Sequence, residues 1–418
     1  MAGKSYCITE NCLKVIMMDV FVARQPIFDR EKILFGYELL FREGNSNVFP
    51  DIDGDTATTS LLSSSFFTVG IDRIAVGKPA FINFTEDLIK EGTPHLFPQD
   101  KLVVEILESV SPDPKTIQAC RELKEQGYML ALDDFVYSGS FDELLELVDI
   151  VKIDFRLTSR ETIETMITSL LSRGCKILAE KIETYEEFNA AASLGFQYFQ
   201  GYFFSRPEIL KNKELSASQL IMLQLLAQLN SAEFDISTLE ELVIQDVSIS
   251  YKLLNYLNSA HFSRLQPISS IKQAISFLGE KSFKLFVSLI VTSKLAENKP
   301  LELIRLSIVR ARFLELVGIE TGRDSSEMFL LGLFSLIDAM LDKNMEEIFS
   351  KLPLSWNIQS ALLHRQGELF FFLRLLESYE TGNWVAFKYA HKKAAIDSGK
   401  VVEFYLESLR WAESFNQE

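Results

Sequence analysis

Cysteine and histidine are scarce in this chain, at four residues each out of 418. Cys7, Cys12, Cys120 and Cys175 form no CxxC pair and no Cys/His ladder, which argues against structural zinc and for a reducing, cytoplasmic compartment. Long apolar runs are missing as well, so no segment reads as a membrane span. The only apolar stretch of residues 1–18 is broken by Glu10 and lacks a small-residue cleavage site, so 1–20 reads as a tail and not a signal peptide. A start at Met17 or Met18 is the alternative reading. Basic residues are outnumbered, 42 against 58, and the net charge of −16 argues against direct nucleic-acid binding. Tandem repeats and low-complexity linkers are absent. What remains is a composition of 47% hydrophobic and 24% charged residues, suited to a folded chain too long for one core.

The first half of that chain repeats one pattern: a short apolar run, a polar residue at its end, then a helical stretch. The polar residues are Glu38, Asn83, Glu105, the pair Asp133 and Asp134, Lys152 with Asp154, Glu180 with Glu183, and Gln200. Strands are expected over 21–28 with 33–41, then 80–84, 102–107, 129–135, 149–154, 176–182 and 198–203. Helices are expected over 56–69, 115–126, 159–173 and 185–194, two of them stopped by Gly127 and Gly174. This is the pattern of a (β/α)8 TIM-like barrel, whose chemistry sits at the C-terminal ends of its strands. Several carboxylates at one mouth cannot all stay ionised without cations between them. Oxygen ligands of this kind suit Mg2+ or Mn2+, and two ions are expected. Lys152 is placed to orient a water or stabilise developing charge. Arg42, four residues past Glu38, is placed to grip phosphate.

After Pro207 the pattern changes. Leu220, Leu223, Leu226 and Leu229 recur at helical spacing, and helix follows helix with breaks at Gln266-Pro267, Leu278-Gly279 and Leu352-Pro353. The expected fold class is α/β plus all-α: a tail over 1–20, a barrel over 21–210 and a helical domain over 211–418. His261, His364 and His391 are scattered and adjoin no Asp, so no metal centre is expected in the second domain. Asp338 reads as a helix-cap or surface residue. Asn255, Asn258 and Ser259 read as satisfying backbone groups, and the segment 369–373 as core.

The ordered motifs of the barrel resemble the EAL family of cyclic di-GMP phosphodiesterases. Glu38-Leu39-Leu40-Phe41-Arg42 resembles its Glu-Ala-Leu-x-Arg signature, and Ile82-Asn83-Phe84 its Ile-Asn strand end. Glu105-Ile106-Leu107-Glu108, Asp133-Asp134-Phe135 and Val151-Lys152-Ile153-Asp154 resemble its next three motifs. Ala179-Glu180-Lys181-Ile182-Glu183-Thr184 and Gln200-Gly201-Tyr202 complete the series. The resemblance implies hydrolysis of cyclic di-GMP to linear pGpG, with Glu38, Asn83, Glu105, Asp133 and Asp134 as metal ligands. It further implies catalytic roles for Lys152, Glu180 and Glu38, and substrate contacts from Arg42, Glu183 and Gln200. Two departures stand out: Val136–Phe141 replaces the family's Gly-Thr-Gly-Tyr-Ser-Ser loop, and Lys181 replaces a glycine. They favour a second possibility, a cyclic di-GMP receptor with impaired turnover. Ile244-Gln245-Asp246-Val247-Ser248, the segment 253–260 and Pro267-Ile268-Ser269-Ser270-Ile271 resemble an HDOD domain. That resemblance implies a regulatory domain that docks an unknown protein partner, and a homodimer is possible.

Overall fold

The computed structural model describes residues 21–42, 70, 71, 73–135, 141–208, 215–230, 243, 250, 251, 253, 254, 257, 258, 268–352 and 354–415. The expected helix over 56–69, the loop 136–140 and the break at Gln266-Pro267 lie outside these residues. The chain divides into two compact units near Phe203 and Phe204.

The first unit is a closed barrel of eight strands in sequence order: β1 (Phe21–Phe28), β2 (Leu34–Arg42), β3 (Ala80–Phe84), β4 (Leu102–Ile106), β5 (Met129–Leu132), β6 (Ile150–Asp154), β7 (Lys176–Glu180) and β8 (Tyr198–Gln200). Strands β3, β4 and β6 are buried on both faces, as expected where helices cover a parallel sheet, and so read as near-continuous apolar runs. The expected (β/α)8 architecture is present with one local difference. β1 runs antiparallel to both β2 and β8, and it reaches β2 through a short turn in which Asp29 accepts from the Glu31 and Ile33 amides. The remaining pairs are parallel.

Local chemistry explains the helices between strands. Asp113, with Pro114 behind it, caps Pro114–Glu125; Ser159 caps Arg160–Ser172; and Thr184 forms a reciprocal capping box with Glu187 at the start of Tyr185–Leu194. Gly127 and Gly174 take positive φ where the chain turns back toward a strand, as their positions predict.

The period of two along each strand then sorts the barrel interior into tiers. Ile27, Phe81, Val103, Ala131, Ile150, Leu178 and Tyr198 form one apolar cluster. Two residues further toward the C-terminal ends of the parallel strands stand Asn83, Glu105, Asp133, Lys152, Glu180 and Gln200. On antiparallel β1 the same step runs backwards, from Ile27 to Gln25, and Gln25 lies opposite Glu38 of β2. Gly36 lies opposite Ile27. A side chain there would meet the Pro79 carbonyl at 2.7 Å, so β2 contributes no bulk to the apolar tier. The register steps by two residues where Glu38 faces Phe81, Glu105 faces Ala131, Lys152 faces Leu178 and Gln200 faces Ile27. That stagger is what allows the sheet to close. All eight strands therefore send one polar group to the same end of the barrel.

The described part of the second unit is helical. Its longer helices are Ala217–Leu229, Ile271–Leu295, Leu301–Thr321, Glu368–Glu380 and Ser398–Glu413. Ile271–Leu295 is kinked at Gly279, where a break was expected, by a residue with φ 74° and ψ 159°. Leu301–Thr321 approaches Ser325–Phe334 so closely that a Cβ on Gly332 would lie 2.3 Å from the Arg310 carbonyl. Asn258 takes the structural role expected of it, exchanging hydrogen bonds of 2.8 and 2.7 Å with the Ile268 backbone. Leu369, Phe372 and Leu373 are core residues. Among the described residues no helix is long and apolar enough to cross a membrane.

Candidate functional site

Lys152 occupies the centre of the polar tier and is fully buried. Its Nζ lies 2.7 Å from Glu105 Oε1, 2.7 Å from Asp133 Oδ1, 2.9 Å from Glu180 Oε1 and 3.4 Å from Glu38 Oε2. Four carboxylates from four strands thus converge on one ammonium, a surplus of three formal negative charges. Amides close the ring. Asn83 donates to Glu38 Oε1 at 3.0 Å, and Gln200 Nε2 donates to both Glu38 Oε2 and Gln25 Oε1 at 2.6 Å.

The electrostatics follow from burial and from that surplus. Burial alone would strip the proton from Lys152, but the carboxylates of Asp133, Glu105, Glu180 and Glu38 outweigh it and hold the ammonium well above the ordinary lysine value. Glu105 is pushed well above the ordinary carboxylate range, first by burial and then by Glu38 and Asp133, with Lys152 opposing. Glu180 rises to about 8 for the same leading reason. Burial and the mutual repulsion of the carboxylates thus act against their ionisation, and the Lys152 ammonium acts for it.

Three oxygens within the tier, Asn83 Oδ1, Gln200 Oε1 and Glu105 Oε2, have neither a hydrogen-bond nor an ion-pair partner among the described residues, whereas Glu105 Oε1 and Asp133 Oδ1 face the Lys152 ammonium. Buried polar oxygens are normally satisfied, so these point to a partner outside the described residues. The donor set consists of carboxylates and amide carbonyls, which suits a hard divalent cation. Among the described residues, however, no three Asp, Glu, His or Cys side chains converge on a metal position. They converge on Lys152 Nζ instead. The chemistry of the set fits a divalent ion, and in the arrangement described its carboxylates face the Lys152 ammonium.

Of the residues expected at the site, Glu38, Asn83, Glu105, Asp133, Lys152, Glu180 and Gln200 are brought together. Asp134 is not in contact with Lys152; it turns outward with φ 42° and lies 3.7 Å from Lys181 Nζ. Glu183 lies in the loop after β7, where it accepts from Arg156 Nη1 at 2.6 Å, and Arg156 also reaches Glu187. Arg42 ends β2, and its side chain lies outside the described residues. Sequence reasoning missed Gln25. The signal was present, since a polar residue precedes the apolar pair Ile27-Phe28, but it could be used only once β1 was known to run antiparallel. Asp154 also proves structural. Its Oδ1 accepts from the Arg156 and Leu157 amides, each at 2.9 Å, and its Oδ2 accepts from Lys181.

Residues 60–207 match the EAL domain family and residues 215–352 match the HDOD domain family. β1 and β2, with Gln25, Glu38 and Arg42, precede the first match, so their membership of the barrel rests on the strand pairing. Across nearly its whole length the chain is similar to the uncharacterized protein YuxH of Bacillus subtilis, with 40% identity over 94% of this chain and 98% of that one. It is likewise similar to a Vibrio cholerae protein named cyclic di-GMP phosphodiesterase CdgJ, with 37% identity over 96% of this chain and 94% of that one. A solved Klebsiella pneumoniae BlrP1 calcium/cy-diGMP complex is similar to 48% of this chain and 61% of its own, with 21% identity and a TM-score of 0.37. With both domains matched and two relatives covered almost end to end, the chain belongs to the family of proteins that join an EAL domain to an HDOD domain.

Proposed function

We propose that the barrel is a divalent-metal-dependent phosphodiesterase that opens cyclic di-GMP to linear pGpG. The observation that carries this reading is the tier of eight polar groups, one per strand, with three buried oxygens unsatisfied by described residues. Support comes from the 37% identity to a relative whose name is cyclic di-GMP phosphodiesterase. Glu38, Asn83, Glu105, Asp133 and Asp134 would hold Mg2+ or Mn2+, two ions in the full set. An ion held there would supply Lewis-acid polarisation of a phosphodiester and would lower the pKa of a nearby water.

The chain's own residues account for the rest. Lys152 keeps its proton, so it donates hydrogen bonds and places a positive charge where the phosphoryl oxygens gain negative charge. Glu180, whose carboxylate lies 2.9 Å from Lys152 Nζ, is suited to passing a proton at the reacting centre. Glu38 links the amides of Asn83 and Gln200 to Lys152, so its carboxylate sets the orientation of all three. Gln200 Oε1 is left to accept from a ligand N–H. Arg42 would grip phosphate, and Glu183 would contact the nucleotide from its place beside Arg156.

The receptor reading, binding without turnover, is favoured by one observation. Lys181 places a second ammonium beside Asp134, one of the expected metal ligands. In either reading the domains are proposed to span 21–210 and 211–418, the HDOD domain docks a protein partner, and the protein is cytoplasmic and able to pair with itself. Incubating the purified protein with cyclic di-GMP and Mg2+ or Mn2+, followed by product chromatography, separates the possibilities. Linear pGpG that disappears with EDTA and in Glu38→Ala supports the enzyme. Binding without product supports the receptor, and product that survives both treatments rules out the metal reading.

A further inference from the structure

Lys181 stands where the backbone resists it. Its φ of 60° lies in the left-handed region, which a residue with a Cβ adopts rarely, and the next carboxylate across the mouth, Asp134, has φ 42°. Two non-glycine residues held in this region at one strand-end cluster call for an explanation in what their side chains do.

Lys181 is fixed by its partners. Its Nζ lies 2.5 Å from Asp154 Oδ2 and 3.7 Å from Asp134 Oδ1. Asp154 is itself immobilised: it is buried, and its second oxygen is held by two backbone amides at 2.9 Å. The lysine is half-exposed, so its ion pairs contribute little stability by themselves. Their effect is positional, because a buried, doubly held carboxylate keeps the ammonium at the mouth. The adjacent aspartates Asp133 and Asp134 are then each faced by a lysine, Lys152 on the inner side and Lys181 on the outer.

We infer that the Lys181 ammonium takes the place of the outer divalent ion, so that this barrel holds one divalent ion at the inner carboxylates and a fixed lysine at Asp134. An ion bound through Asp134 would sit within a few ångströms of a like charge that cannot leave without abandoning Asp154. The inference rests on the metal reading above and refines it from two ions to one.

The test is Mn2+ titration of the full-length protein without nucleotide, following the free-ion electron paramagnetic resonance signal. The wild type binds one Mn2+ per chain, with any second ion at least about tenfold weaker. Lys181→Gly relieves the backbone and removes the charge, Lys181→Met removes the charge alone, and both bind two ions with the coupled spectrum of a close pair. Lys181→Arg keeps the cation and still binds one. Two comparably tight ions in the wild type, or a single ion in both neutral variants, would overturn the inference while leaving the metal reading intact. No Mn2+ bound by any variant would overturn both.

Discussion

Replacing Lys152 by methionine keeps most of the side-chain volume and removes the only cation among the described residues that faces Glu38, Glu105, Asp133 and Glu180 together. The gross attraction lost is large, since each contact near 3 Å is worth about 5–6 kcal/mol at an effective dielectric constant of about 20. The measured cost is smaller, because the carboxylates respond by binding one proton in place of the ammonium. Protonating an ordinary glutamate near 4.5 costs about 4 kcal/mol at pH 7.5 and under about 1 kcal/mol at pH 5. The first value agrees with the roughly 3–5 kcal/mol typical of breaking a buried ion pair from one side. Lys152→Met in EDTA should therefore lower the barrel's melting temperature by about 10 °C at pH 7.5, and by only about 2–4 °C at pH 5. Differential scanning calorimetry at the two pH values reads this directly. A variant as stable as wild type at pH 7.5, or a deficit that grows as pH falls, would refute the charge balance described here.

The metal-free wild type carries a related pH dependence. Glu180 holds its proton to about pH 8 in the folded barrel but releases it near 4.5 when unfolded, so between these values the folded state binds more protons and stability falls as pH rises. The loss attributable to Glu180 is on the order of 5 kcal/mol over that window, and urea titrations in EDTA from pH 5 to pH 8.5 should show the midpoint falling. Gly201→Ala should cost at least about 2–3 kcal/mol, because a Cβ there would lie 2.0 Å from the Ile182 carbonyl at φ 144°; an unchanged melting temperature would contradict this. Thr184→Ala removes one half of the capping box with Glu187 and should cost about 1 kcal/mol, seen as faster amide exchange in the first turn of Tyr185–Leu194.

Much of the barrel was legible because its strands are short apolar runs with a polar residue at the far end, and a period of two converts that spacing into a common face. Glu38, Asn83, Glu105, Asp133, Lys152, Glu180 and Gln200 could be listed on that ground alone. Gln25 could not, because strand direction is a property of pairing: on β1 the mouth lies at the N-terminal side, and the polar residue comes before the apolar ones. Asp134 and Glu183 carry the same chemistry as their neighbours and sit at the same strand ends. Backbone φ turns Asp134 toward Lys181, and the loop after β7 hands Glu183 to Arg156.

The division between the two levels is physical. Periodicity, capping residues and glycine stops act over a few residues, so the sequence by itself determined the strands, most of the helices, the change to an all-helical second domain and the residue types available for chemistry. Distances between side chains from different strands, 114 residues apart for Glu38 and Lys152, depend on register and on closure of the sheet. Only the tertiary structure decided that four carboxylates meet one lysine at 2.7–3.4 Å, because a stagger of two residues at any seam would move a carboxylate by more than the length of an ion pair.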